Sequence, residues 1–153
     1  MKKLLLGVVA LGLVATSCKK DDDNNNSSAM LVGTWKFSKY VTVSGKDGSI
    51  LDSETVSGCS TQDTTEFRSD KTVIDKGYNS SGTNGACSLS YTDTGNYTYN
   101  ESTKEIAVTW AGNTSTDIAK VESISHSQLV IYSVDGDYNG DGINDKFYAY
   151  LYK

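Results

Sequence analysis

From residue 30 on, short segments rich in Thr, Tyr, Val and Ile alternate apolar and polar side chains with a period of two, and no convincing helical period interrupts them. That alternation limits the fold more than any other feature, because only a strand with one buried face requires it. The last segment, 146–152, shows it most cleanly, with Phe147, Ala149 and Leu151 on one face and Tyr148, Tyr150 and Tyr152 on the other. Trp35, Phe37, Val41 and Val43 share a face that only Lys39 breaks. Segments 64–68 and 72–75 flank a plausible turn, and so do 97–99 with 106–110 and 117–124 with 128–134. These make about eight strands at the spacing of an antiparallel meander. Zero prolines suit long hydrogen-bonded strands. No amphipathic segment of ten residues is available to cover an open sheet, so closure into an up-and-down β-barrel is the preferred all-β architecture. A β-sandwich draws on the same ingredients and stays as the alternative.

The N-terminus reads as an address. Met1-Lys2-Lys3 is followed by an apolar or glycine run from Leu4 to Ala15, shorter than the ~20 residues of a membrane-spanning helix. Ala15-Thr16-Ser17-Cys18 resembles a bacterial lipobox, which makes 1–17 a lipoprotein signal peptide and Cys18 the lipidated residue. The stretch after it, Lys-Lys-Asp-Asp-Asp-Asn-Asn-Asn-Ser-Ser, has no apolar side chain, so 18–29 is expected to be a disordered tether to a domain spanning 30–153. Lysine followed by acids resembles the export signal of Bacteroidota surface lipoproteins. That likeness implies anchoring in the outer membrane facing outward, with a periplasm-facing spacer as the alternative. The chain is expected to be a monomer. A net charge of −5 argues against nucleic acid as a partner.

With Cys18 assigned to lipid, Cys59 and Cys87 form an even pair in an exported chain. A structural disulfide is the favoured reading. The rival is a pair of free thiols in a metal site, although no second cysteine or histidine lies near either.

Leu31-Val-Gly33-Thr-Trp35-Lys-Phe37 resembles the Gly-x-Trp opening strand of the lipocalin-like lipoproteins of Bacteroidota. Thr65-Glu-Phe67, Gly95-Asn-Tyr97-Thr-Tyr99 and the hairpin 123–130 match the same cadence. The resemblance implies a barrel whose Trp35 plugs the closed end and whose cup holds a small apolar or amphipathic molecule, with no enzymatic activity. The other class of function is a structural or interaction protein whose barrel is filled and whose loops meet a protein or glycan. Trp35, Phe37, Val41, Val108, Trp110, Val130, Tyr132, Phe147 and Leu151 supply few large groups for a full core, which mildly favours a cavity.

Near the C-terminus, Asp137-Tyr-Asn139-Gly-Asp141-Gly142-Ile143-Asn-Asp145 resembles the calcium loop of dockerin and thrombospondin type-3 modules. Calcium takes six to eight oxygens, and alternate residues of a curling loop point side chains inward. Asp137, Asn139 and Asp141 would supply the first ligands, Ile143 its carbonyl, and Asp145 the far side, directly or through water. Tyr148 stands where an EF-hand has its bidentate glutamate, so the expected Ca²⁺ is weakly held and structural. The bland reading is an acidic hairpin turn at Asn139-Gly140. His126, the single histidine, lies in a turn without catalytic partners. Glu54, Glu66, Glu101, Glu105 and Glu122 read as solvated, and the ten tyrosines as half-buried strand formers more than cup lining. Asp63-Thr64-Thr65 resembles a short O-glycosylation site.

Overall fold

The computed structural model describes residues 26–81 and 85–153. The expected signal peptide 1–17, the expected lipidation at Cys18 and the expected tether as far as residue 25 lie outside the described residues. The described residues open with a short helix, α1 (Ser27–Leu31), capped by the Asn26 side chain, and continue into nine strands. These are β1 (Gly33–Val43), β2 (Ile50–Thr55), β3 (Thr64–Phe67), β4 (Thr72–Ser81), β5 (Ala86–Asn100), β6 (Glu105–Trp110), β7 (Asp117–Ile124), β8 (Gln128–Val134) and β9 (Lys146–Tyr152). A 3₁₀ turn, Gly58–Gln62, separates β2 from β3. Residues 26–29, expected to be tether, thus hold the cap and the start of a helix. The physical reason is Leu31, whose complete burial draws the residues before it onto the barrel.

All pairings described are antiparallel between neighbours in the sheet, and β1 also pairs with β9, so the sheet closes on itself. This is the up-and-down barrel, and it leaves no role for a sandwich. The ninth strand arises because β1 carries two partners along one edge, β3 against Gly33–Lys36 and β2 against Lys39–Val43. Together β2 and β3 fill a single position in the ring, interrupted by the 3₁₀ turn. Sequence alternation missed β2 because all six of its residues are exposed.

A register shift between Phe37 and Lys39 moves the inward face of β1 by one residue. Before it Trp35 and Phe37 point inward. After it Tyr40 and Thr42 lie opposite Ala149 and Phe147, and Lys39, Val41 and Val43 turn to the opposite face, where Val41 is nonetheless buried. The expectation that Val41 and Val43 share the face of Trp35 is thereby corrected. Val130 and Tyr132, also expected inside, pair with Tyr150 and Tyr148 on the outer face of β9.

The packed core sits toward one end. Trp35, Leu31, Leu129 and Val73 are fully buried there, joined by Phe67, Tyr97, Ile106, Val121 and Leu151. Trp35 Nε1 donates to the Leu31 carbonyl at 2.8 Å, so the plug satisfies its one polar atom. Lys153 Nζ donates to the carbonyls of Met30 and Val32, each at 2.7 Å, and lies 4.2 Å from the Trp35 ring centre. Its stem covers Gly33, where an added Cβ would stand 3.0 Å from Nζ on a backbone with φ +134°. Opening strand and chain end thus lock the closed end together.

Candidate functional site

Above this packed end the barrel is hollow. A cavity of about 370 Å³ opens between the strands, within the range of small-molecule sites. Its floor is Phe67, Val73 and Ile106, and its walls are Phe37, Val108, Ala119 and Ile131. An adjoining hollow of about 180 Å³ shares Phe37, Ala119 and Ile131 and reaches Tyr40 and Phe147. Strand register accounts for the lining. Thr65 lies opposite Asp75, Phe67 opposite Val73, Ile106 opposite Ala119 and Val108 opposite Asp117, so each pair projects to one face. The cavity exists because small side chains alternate with large ones. Ala119, Ala149 and Ser133 stand where larger groups would fill the space.

Gly95 makes room on β5. A Cβ there would lie 2.6 Å from the Thr109 carbonyl and 3.1 Å from the Trp110 ring, so only glycine lets the indole lie against β5. Trp110 Nε1 then donates to Asp117 Oδ2 at 3.0 Å. Across the mouth, Tyr91 lies over Gly77, and its hydroxyl donates to Asp75 Oδ2 at 2.9 Å. The Thr65 hydroxyl donates to Asp75 Oδ1 at 2.5 Å. Burial, then the bond to Asp75 and the charges of Asp75, Asp63 and Asp93, push the Tyr91 phenol well above its ordinary pKa. The Tyr40 phenol is pushed up by burial first, and further by Asp63, Asp75 and Glu54. Tyr40 also stacks on Phe147 with ring centres 5.4 Å apart.

The sequence pattern did not single out these mouth groups, although a signal was present. Asp75 is two residues from Val73, and Asp117 two from Ala119, so each shares the parity of a residue inside the barrel. Glu54, expected to be solvated, is exposed and lies opposite Tyr40 on β2. Of the other glutamates, Glu66 pairs with Arg68 at 3.0 Å, Glu105 pairs with Lys120 at 2.9 Å, and Glu101 accepts from the Ser28 amide and hydroxyl. His126 is exposed in the turn between β7 and β8 at the closed end, far from the cavity lining.

Cys59 in the 3₁₀ turn and Cys87 on β5 form a disulfide with Cα atoms 5.4 Å apart. It ties the turn between β2 and β3 to the rim of the barrel.

The segment between β8 and β9 carries the expected calcium ligands at the open end. Asp137 accepts from the amides of Gly140, Asp141 and Gly142 at 2.8, 3.0 and 2.7 Å, bonds that hold its carboxyl below the usual range, the one from Gly142 most of all. Asn139 Oδ1 accepts from Asp141, and Asp141 Oδ1 accepts from Ile143. Asp145 is fully buried and accepts from Gly45 at 3.0 Å and Tyr138 at 2.8 Å. Its carboxylate thereby anchors this loop to the one between β1 and β2. Among the described residues no three His, Cys, Asp or Glu side chains form a metal-holding group.

Comparison with known proteins places this geometry in context. The model of the lipocalin-like domain matches residues 31–131. A bovine lipocalin allergen of known structure is similar at 19% identity with a TM-score of 0.42, covering 82% of this chain and 73% of its own. A bovine odorant-binding protein, a deswapped triple mutant, is similar at 15% identity with a TM-score of 0.39, covering 81% of this chain and 74% of its own. A search of curated proteins finds no match.

Proposed function

Because the chain belongs to the lipocalin-like domain family, we propose that it binds a small hydrophobic or amphipathic molecule inside the barrel and performs no catalysis of its own. The single observation that carries this reading is the apolar cavity of about 370 Å³ above the Trp35 plug. A filled barrel acting through its loops is the reading that such a hollow argues against. The proposal extends to place. The lipobox-like Ala15-Thr16-Ser17-Cys18 and the acidic stretch behind it support a Bacteroidota-type lipoprotein. Its lipid on Cys18 sits in the outer membrane, and its barrel faces outward.

Native mass spectrometry of the exported, oxidised protein tests the ligand. A co-purifying apolar mass that leaves on denaturation is the expected result. A clean apo mass that persists after incubation with lipid extracts would turn the reading toward an interaction protein. Metabolic labelling with a fatty acid, lost in Cys18→Ser, tests the anchor. Protease accessibility on intact cells decides the face.

The loop 137–145 is proposed to take one calcium ion weakly, near the 10⁻⁴–10⁻³ M of extracellular modules. All its candidate donors are oxygens, which suits a hard cation. Asp141 and Asn139 would coordinate through side chains and Ile143 through its carbonyl, with Asp137 and Asp145 turning from amides they now satisfy. A chelator-reversible rise in melting temperature at millimolar calcium, absent in Asp141→Ala, is expected. No change with calcium in the parent protein would sink it.

A further inference from the structure

The polar part of the cavity lining has one sign. Asp75 and Asp117 are its charged members, Thr65 and Ser133 its neutral ones, and none of its residues is lysine, arginine or histidine. More carboxylates ring the opening. Asp93 lies directly opposite Asp75 on the same face, and Glu54 opposite Tyr40. Like charges directly opposite one another in a sheet are unfavourable, so this arrangement costs stability unless a positive group stands between them. The nearest lysines along these strands do not supply it. Lys76 follows Asp75 and faces out, while Lys39 and Lys146 lie over the Tyr150 and Tyr132 rings on the outer wall, 4.2 and 5.1 Å from their centres.

The carboxylates are also held in place. Thr65 and Tyr91 fix Asp75 from two sides, and the Trp110 indole fixes Asp117. A carboxylate oxygen can accept two hydrogen bonds, so both residues keep capacity for a donor from within the cavity. The Trp110 and Tyr40 rings beside them offer the negative faces that attract an organic cation. An anionic head group entering the same space would meet uncompensated like charge next to apolar walls.

Taking the cavity as a ligand site, as the preceding reading does, we propose that its ligand is an organic amine. The apolar part lies among Phe37, Val108 and Ile131, and the protonated amino group is received by Asp75 and Asp117. The ammonium donates hydrogen bonds to the two carboxylates at the mouth, where it stays partly hydrated, while the hydrocarbon displaces water below.

The test uses three probes of one chain length, n-octylamine, n-octanol and n-octanoate, titrated into the purified, oxidised protein. Total tryptophan fluorescence is followed, to which Trp35 contributes from the plug and Trp110 from the mouth. The amine is expected to bind at least about ten-fold more tightly than the alcohol, and octanoate more weakly than both. The advantage of the amine should shrink as salt is raised. Asp75→Asn and Asp117→Asn should each bring the amine toward the alcohol, and near-ultraviolet dichroism matching the parent reports that the variants are folded. Octanoate binding as tightly as octylamine, or an amine preference that survives in the double variant, would overturn the proposal. Octanol binding with no preference for the amine overturns this inference alone. If none of the three binds, the cavity is not a ligand site and the underlying reading fails with it.

Discussion

Trp35 illustrates how much one residue can fix. Its ring is fully buried, its N–H is taken by the Leu31 carbonyl, and Lys153 caps its outer side. Trp35→Phe keeps most of the apolar area but leaves a buried carbonyl without its donor. The expected loss is about 1–3 kcal/mol, read from urea denaturation. Trp35→Ala adds a cavity and should cost about 3–5 kcal/mol. A Phe variant as stable as the parent would mean that the indole N–H contributes nothing to the plug. Gly95 is constrained from the opposite direction, by lack of space. An alanine there meets the Thr109 carbonyl at 2.6 Å, a backbone atom that cannot swing away. Gly95→Ala should therefore destabilise by about 1–3 kcal/mol and shift the emission of Trp110 as its ring is displaced. An unchanged spectrum would show that β5 and β6 separate instead.

Strands of the barrel were legible in the sequence wherever alternation survives to their ends, as in β9. It failed at β2, whose six residues are all exposed, and in β1 beyond Phe37, where one extra residue reverses the parity of everything after it. A bulge has no composition of its own here. Ser38 and Lys39 look like ordinary strand residues, and only the partner strand reveals the shift. The mouth was illegible for a related reason. Asp75 and Asp117 are acids at inward parity, and because acids ordinarily face solvent, residue type and parity point opposite ways there. The disulfide, in contrast, needed only that Cys18 be set aside as the expected lipidated residue, which leaves Cys59 and Cys87 as an even pair. It joins the 3₁₀ turn between β2 and β3 to β5, across a separation of 28 residues, and so holds the interrupted strand to the rim. Replacing Cys59 and Cys87 together by serine should cost about 3–4 kcal/mol by the chain-entropy account, read from the denaturation midpoint in non-reducing buffer. Adding reductant should lower the parent to the same midpoint and leave the double variant where it was. A reductant effect on the serine variant would place the sensitivity elsewhere.

For the whole molecule, the pH profile has two sources: carboxyls held mostly by bonds within their own turns, and phenols that the closed barrel buries. Asp47, Asp70, Asp137 and Glu101 accept backbone amides, while Glu66 and Glu105 are held by Arg68 and Lys120; all six carboxyls sit below their ordinary pKa. A carboxyl depressed in the folded state binds fewer protons there than in the unfolded chain. Its contribution is present above the unfolded value of about 4 and is lost as pH falls through the folded one. The phenols of Tyr40, Tyr91, Tyr97 and Tyr148 are raised instead, burial being the largest cause in each. Their contribution has the opposite sense: complete below the ordinary value of 10.0 and lost as pH rises through the folded values. Lys153, lowered by burial, works against this trend, because its folded state sheds a proton more readily. One lysine against four phenols leaves the alkaline limb to the tyrosines. The melting temperature should therefore hold a plateau through neutral pH, fall below about pH 4 and fall again above pH 10. Phenolate absorbance supplies the decisive check on the second limb. A fraction of the ten tyrosines should ionise early and reversibly, and the buried ones only together with loss of the near-ultraviolet dichroism of the folded barrel. Ionisation of all ten in one reversible step at ordinary pKa, with the dichroism intact, would mean that the phenols inside and around the cavity are open to water.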